Sequence, residues 1–312
     1  MKVVFMGTPD FAVETLKAIY EAGHEVILVV SQPDKPKGRS GKLQPTPVKE
    51  FAVEHGISVY QPAKIKAEES VEYLRGFEAD VFVVAAFGQI LPKVILDMPR
   101  LGCVNVHGSL LPKYRGAAPI QWAVINGEKV SGNTTMLMGP GLDDGDILLK
   151  SKVELSADET GGSLFDKLAI DGGKLAVRTI EALEKGEITP IPQDEAQATH
   201  VGMIKKEMGL IDWSKPADEI ERLIRGLNPW PSAYTYINSK QLKVWKATVV
   251  DKAGEAGYII DVDKNVFTIA CGRASLEINE LQLEGKKRMT TGDFLRGYKL
   301  EAGMRLANGR DQ

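Results

Sequence analysis

The chain has 312 residues, of which 43% are apolar and 26% charged, and its net charge is −3. That length exceeds one average core and predicts about two domains, and the composition excludes a disordered chain. No apolar run approaches the roughly 18 residues that span a bilayer, and the N-terminus turns into a Gly-Pro loop too early for a signal peptide. Cys103 and Cys271 lie far apart and no Cys or His cluster exists, so reduced thiols, no metal site and a cytoplasmic location are expected. Monomer is the default expectation. The net charge gives no hint of a nucleic-acid partner; the chain is slightly acidic before Met208 and slightly basic after it.

In chain order, residues 2–5 read as a short buried strand. Gly7-Thr8-Pro9-Asp10 follows as a turn without GxGxxG, so a dinucleotide is not favoured. Residues 11–22 have helical apolar spacing closed by Gly23, and 26–30 form a second buried strand, giving the β-α-β unit of a parallel sheet. Residues 31–49 are rich in proline and carry Lys35, Lys37, Arg39, Lys42 and Lys49 against one aspartate. Neither helix nor strand is expected there before the helix that starts at Pro47. The charge suits a phosphate backbone, and an ordinary solvated basic loop explains it nearly as well.

Helices are predicted at 47–55, 67–77 and 118–126, one or two more within 162–185, and a short helix or turn at 90–98. Strands are predicted at 58–60, 80–86, 103–107, 133–138 and 147–153. This alternation is that of an α/β, Rossmann-like domain with a parallel sheet over residues 1–188. Residues 189–207 lose the pattern and read as a linker. Within 208–312, a short helix at 218–225 precedes regularly spaced short strands at 233–237, 240–250, 256–262, 266–270 and 274–282. These suggest a small β-barrel, OB-like in size, before a final helix at 291–298. Trp230 and Trp245 are expected in its core first and as stacking surfaces second.

The chemistry concentrates in Cys103–Gly116, CVNVHGSLLPKYRG. A lone histidine is more often structural than catalytic. However, Asn105 and His107 share one strand face by period two, after a buried strand, where open α/β sheets place their sites. Asn105 can donate to a carbonyl oxygen, and His107 can relay a proton. Gly141-Leu142-Asp143-Asp144-Gly145-Asp146 supplies carboxylates that can orient the imidazole or take up a proton. GxSxG is absent, and no Ser or Cys has a matching base, so a covalent nucleophile fits poorly. Direct acyl-type transfer fits better: an amine attacks a carbonyl, Asn105 and His107 stabilise the oxyanion, and Asp143 aids proton transfer. The residues alone do not name the acyl group.

The segment from Val104 to Gly116, followed by Ala117-Ala118-Pro119-Ile120-Gln121, resembles the core motif of formyltransferases that use 10-formyltetrahydrofolate. Further matches place it with the branch acting on methionyl-tRNA. They are Gly7–Phe11, the basic loop with Gln32-Pro33-Asp34-Lys35 and Gly38-Arg39, Gly141-Leu142-Asp143, Ile211-Asp212-Trp213, Asn228-Pro229-Trp230-Pro231 and Lys243-Val244-Trp245-Lys246. The resemblance implies that Asn105, His107 and Asp143 are catalytic and that Ser109, Leu110, Leu111 and Pro112 seat the folate. It implies that Lys37, Arg39 and Lys42 meet the acceptor end of initiator methionyl-tRNA, and that the barrel, with Lys243, Lys246, Lys286, Lys287 and Arg288, holds the acceptor arm. One departure is Gly139, where members commonly carry an acidic residue. Formylation of a small amine, hydrolysis of the formyl donor and a catalytically idle binding module are the alternatives.

Overall fold

The computed structural model of the chain describes residues 1–36, 41–307 and 309. Contacts divide it into two compact units whose boundaries interleave in sequence. The first comprises Met1–Pro119, Val130–Glu154 and Phe165–Val201; the second comprises Ile120–Lys129, Leu155–Leu164 and Gly202–Gln312. Residues 189–201, read from sequence as part of a linker, therefore lie within the first unit.

The first unit is built from β1 (Lys2–Gly7), α1 (Asp10–Glu21), β2 (Glu25–Val30), α2 (Pro47–Glu54), β3 (Val59–Tyr60), α3 (Glu68–Arg75), β4 (Val81–Ala85), β5 (Cys103–His107), β6 (Val130–Leu137), β7 (Ile147–Glu154) and the part of α4 (Gly161–Glu184) from Phe165 onward. The strands form one sheet in the order β7-β6-β5-β4-β1-β2-β3. Pairing is parallel from β5 through β3 and antiparallel where β6 meets β5 and β7. The expected parallel sheet is thus mixed at one edge. Strand β1 shows why its sequence is a continuous apolar run: both of its faces are covered. Val3 and Phe5 pack with Leu16 and Ile19 of α1 and Ile180 of α4, whereas Val4 and Met6 pack with Leu28, Leu74 and Phe82 on the opposite face.

Gly7 closes β1 where a side chain has no room. A Cβ there would lie 2.9 Å from the Ala85 carbonyl oxygen and 2.7 Å from the Ala12 methyl. Within 31–49, the expectation of no strand is corrected by a short antiparallel pair, Lys35–Pro36 with Leu43–Gln44. The pair is two residues long and exposed, where proline's missing N–H costs little. Lys42 is exposed beside it, while Lys37 and Arg39 lie outside the described residues. Helix α2 starts on Pro47, whose fixed φ suits the first helical position, and Thr46 caps it by accepting from the Lys49 amide at 3.2 Å.

The second unit carries α5 (Ala217–Gly226), β8 (Ala233–Ile237), β9 (Lys240–Val250), β10 (Ile259–Val262), β11 (Phe267–Ala270), β12 (Ser275–Leu283), β13 (Met289–Thr290) and α6 (Thr291–Leu295). Its antiparallel sheet runs β8-β9-β12-β11-β10, with β13 added on β12. Asn238 and Ser239 both adopt positive φ, as a two-residue hairpin between β8 and β9 requires. Ala307 bridges Tyr236 of β8, and Arg305 bridges Tyr258 next to β10. One short segment thereby pairs at both edges and closes the sheet on itself. Trp230 departs from its expected core place and is 53% exposed. Trp245 is half-buried under Lys243 and Arg288, whose Nζ and Cζ lie 5.7 and 4.9 Å from its ring.

Both thiols are free and buried, and desolvation pushes each from the ordinary value of 9.0 up to about 12. The unfolded chain releases these protons first, so the thiols' contribution to stability is present below pH 9 and is lost as pH rises toward 12. The native protein is expected to resist iodoacetamide at pH 8 and to take up two equivalents in denaturant. Alkylation of the native chain at the denatured rate would contradict that burial.

Candidate active site

Strand β5 positions the site by alternation. Val104 and Val106 are buried in the core that contains Val83 and Val3, so Asn105 and His107 project from the opposite face. Asn105 pairs in register with Val84 and Met136, and His107 with Thr134. Both side chains sit in a largely buried setting, the residues being 9% and 7% exposed. Among the described residues, nothing hydrogen-bonds the Asn105 side-chain amide. Its polar atoms are not among the fully buried unpartnered ones, so the amide keeps access to solvent and is free to donate to an incoming carbonyl oxygen.

The imidazole is fixed by its own loop. His107 Nε2 lies 2.9 Å from the Tyr114 carbonyl oxygen. A carbonyl only accepts, so Nε2 carries a proton. The remaining nitrogen, Nδ1, faces Asp143 Oδ2 at 3.7 Å. Asp143 Oδ2 also accepts the Gly116 amide at 2.9 Å. Asp143 itself sits at φ 52°, a left-handed conformation that aspartate tolerates better than most residues. The three expected catalytic residues thus lie on or beside one strand end, with His107 between Asn105 on its own strand and Asp143.

The turn after His107 is held from within. Ser109 Oγ donates to the Lys113 carbonyl at 2.7 Å, Thr134 Oγ1 donates to the Ser109 carbonyl at 2.7 Å, and the Leu111 amide donates to Thr134 Oγ1 at 3.0 Å. The Lys150 ammonium donates to the Leu111 carbonyl, and burial, with Lys152 nearby, lowers its pKa. The Leu111 side chain is fully buried with Met136 and Ile147. Ser109 and Leu111 therefore spend their side chains on the turn, while Leu110 and Pro112 stay half-exposed as its outer surface.

The loop at 138–146 depends on its glycines. A Cβ at Gly145 would overlap the Leu137 carbonyl oxygen at 1.7 Å, and one at Gly141 would strike the Asp144 carboxylate at 1.9 Å. A Cβ at Gly139 would stand 3.5 Å from Asp144 Oδ1. An acidic side chain at 139 would begin beside the Asp144 carboxylate, so glycine there removes a like-charge neighbour.

Sequence reasoning missed the outer supports. Arg115 is 3% exposed and donates to Gln193 Oε1 from Nε and Nη2 at 3.1 and 2.9 Å and to both Glu195 oxygens at 3.0 and 2.7 Å. The Glu195 hydrogen bonds raise the Arg115 pKa, and Arg115 in turn holds the Glu195 carboxyl below the usual range. No periodic pattern marks residues 191–201. Among the described residues, no group of three or more His, Cys, Asp and Glu is placed to hold a metal ion, and no helix is long and apolar enough to cross a membrane.

Residues 1–180 match the model of the formyl transferase family, and residues 203–299 match its C-terminal domain. This chain belongs to the formyl transferase family. Its relatives in the family include the methionyl-tRNA formyltransferase of Agathobacter rectalis, 61% identical over 97% of this chain and 98% of that protein. The methionyl-tRNA formyltransferase of Citrifermentans bemidjiense is 50% identical over 97% and 95%. Among solved structures, the sugar 3N-formyl transferase WlaRD shares the fold with a TM-score of 0.67 at 20% identity, over 92% of this chain and 99% of that one. HypX from Aquifex aeolicus matches with a TM-score of 0.64 at 16% identity over 96% of this chain, which spans half the length of that protein.

Gly116 sits at φ 111°, and a Cβ there would lie 2.3 Å from the Val201 carbonyl oxygen. Gly116→Ala is expected to cost about 1–3 kcal/mol of stability and to displace the amide that holds Asp143. Thermal unfolding checks the first effect and formyl transfer the second; a variant unchanged in both would refute the constraint.

Proposed function

We propose that this chain transfers the formyl group of 10-formyltetrahydrofolate to the α-amino group of methionine esterified to initiator tRNA. The observation that carries the reading is a histidine whose Nδ1 faces a carboxylate, on the same strand face as the Asn105 amide, which has no hydrogen-bond partner among the described residues. Full-length relatives named methionyl-tRNA formyltransferase support the acceptor.

The folate supplies an activated formyl carbon, and the residues present suit it. Leu110 and Pro112 offer a half-exposed apolar edge next to a polar corner. In the reaction, the neutral α-amine forms a bond to the formyl carbon while the carbonyl pair moves onto oxygen. The Asn105 amide N–H donates to that oxygen as it gains charge. The amine then loses a proton, the bond to the folate nitrogen breaks, and that nitrogen takes up a proton. His107 Nδ1 and Asp143 form the route for this proton, and Tyr114 holds the ring so that Nδ1 faces the carboxylate. Products are the formamide on methionine and tetrahydrofolate.

The tRNA contacts are assigned to the exposed Lys42, Lys286 and Lys287 and, from the sequence alone, to Lys37 and Arg39. Such contacts weaken as salt rises. The free, buried thiols fit a reducing, cytoplasmic setting.

Asn105→Ala is expected to lower kcat on charged initiator tRNA by about 10²–10³, and His107→Ala to abolish measurable turnover, with the formyl donor still bound by both. Product is read as formylmethionine on tRNA, beside a control lacking tRNA. Retained turnover in either variant would remove that residue from the mechanism; formate released as fast without tRNA would favour hydrolysis.

A further inference from the structure

Residues 191–201 return to the site and touch both loops that hold His107. Ile191 pairs with Ile147 through two backbone hydrogen bonds of 2.8 and 2.9 Å, at the exit of the 138–146 loop. Two residues on, Gln193 Nε2 donates to the carbonyls of Asp143 and Gly145, both at 2.8 Å. Its Oε1 accepts the two Arg115 bonds described above. Farther along, the Thr199 carbonyl accepts the Arg115 amide at 2.8 Å, and Thr199 Oγ1 accepts the Tyr114 amide at 2.8 Å. His200 and Val201 pair in parallel with Arg115 and Gly116.

Each polar atom of the Gln193 amide is thus committed in the direction only an amide permits. Its nitrogen gives two protons to two carbonyls, and its oxygen receives from a guanidinium. The two carbonyls flank Asp144 and belong to a loop whose Asp143 is in a left-handed conformation, which persists only when its surroundings over-determine it. Tyr114, held by Thr199, is the residue whose carbonyl selects the His107 tautomer.

We propose that Gln193 is a positioning residue for the reaction. Through Asp143 and Arg115 it sets the carboxylate against His107 Nδ1, and the stretch 191–201 acts as a strap across the two loops of the site. This rests on the functional reading above for its catalytic part only. Gln193→Glu keeps the acceptor for Arg115 and loses both donors, turning two attractions to carbonyls into repulsions. Gln193→Met keeps the volume and loses all four bonds.

The test compares the full-length wild type with Q193E and Q193M. Expected are a kcat lower by about 10- to 100-fold, KM values for the donor and charged tRNA within about twofold, an altered pH profile of kcat, and faster amide hydrogen exchange across 138–146 in both variants. Unchanged kcat and unchanged exchange in Q193E would overturn the proposal, as would a loss confined to KM. The exchange readout does not depend on the reaction: if the wild type fails to formylate tRNA, the functional reading falls while exchange still decides the strap. Should both variants fail to fold, E195Q, at a side chain 71% exposed, weakens the outer anchor of Arg115. It is then expected to lower kcat several-fold and speed the same exchange; wild-type values in both would overturn the proposal.

Discussion

The hydrogen bond from His107 Nε2 to the Tyr114 carbonyl governs the chemistry open to this site. It occupies one ring nitrogen with a partner that can never give a proton back. The other nitrogen is left for exchange and faces Asp143. A histidine with both nitrogens free would interconvert between tautomers and spend part of its population in the wrong one. The fold avoids this by placing donor and acceptor seven residues apart, at the two ends of a turn that Ser109 and Thr134 close. Asn105 completes the arrangement because β5 cannot turn His107 toward the site without turning Asn105 the same way.

Rigidity of the turn comes from burial, and its binding surface from what burial leaves out. Leu111 anchors the turn beneath the sheet edge with Met136 and Ile147. Leu110 and Pro112 are left outside, so the same four residues that fix the backbone also present an apolar edge. The opposite loop, 138–146, is shaped by glycines that allow the chain to pass within contact of its own carbonyls at Leu137. Neither loop carries a core of its own. Each depends on hydrogen bonds to the other and to residues 191–201, as expected for functional loops on a rigid sheet.

Much of this was legible in the sequence. The buried runs of β1, β2, β4 and β5 announced the sheet, and period two placed Asn105 with His107. The regular short strands after Ala233 announced the second unit, which the family's C-terminal domain covers. The antiparallel edge of the first sheet was not legible, because alternation within a strand carries no direction. The exposure of Trp230 was not legible either, since it depends on tertiary packing rather than on hydrophobicity. Gln193 escaped for a related reason. Its partners are two backbone carbonyls and the distant Arg115 guanidinium, and such bonds leave no periodic mark in a polar stretch that reads like a linker.

The most direct measurement of the central claim is nitrogen NMR of the His107 ring in selectively labelled protein, which reads the tautomer of the neutral imidazole. The expected result is a ring with its proton on Nε2 and none on Nδ1. A neutral ring with its proton on Nδ1 would contradict the account, because Nδ1 would then no longer be the nitrogen open to exchange with Asp143.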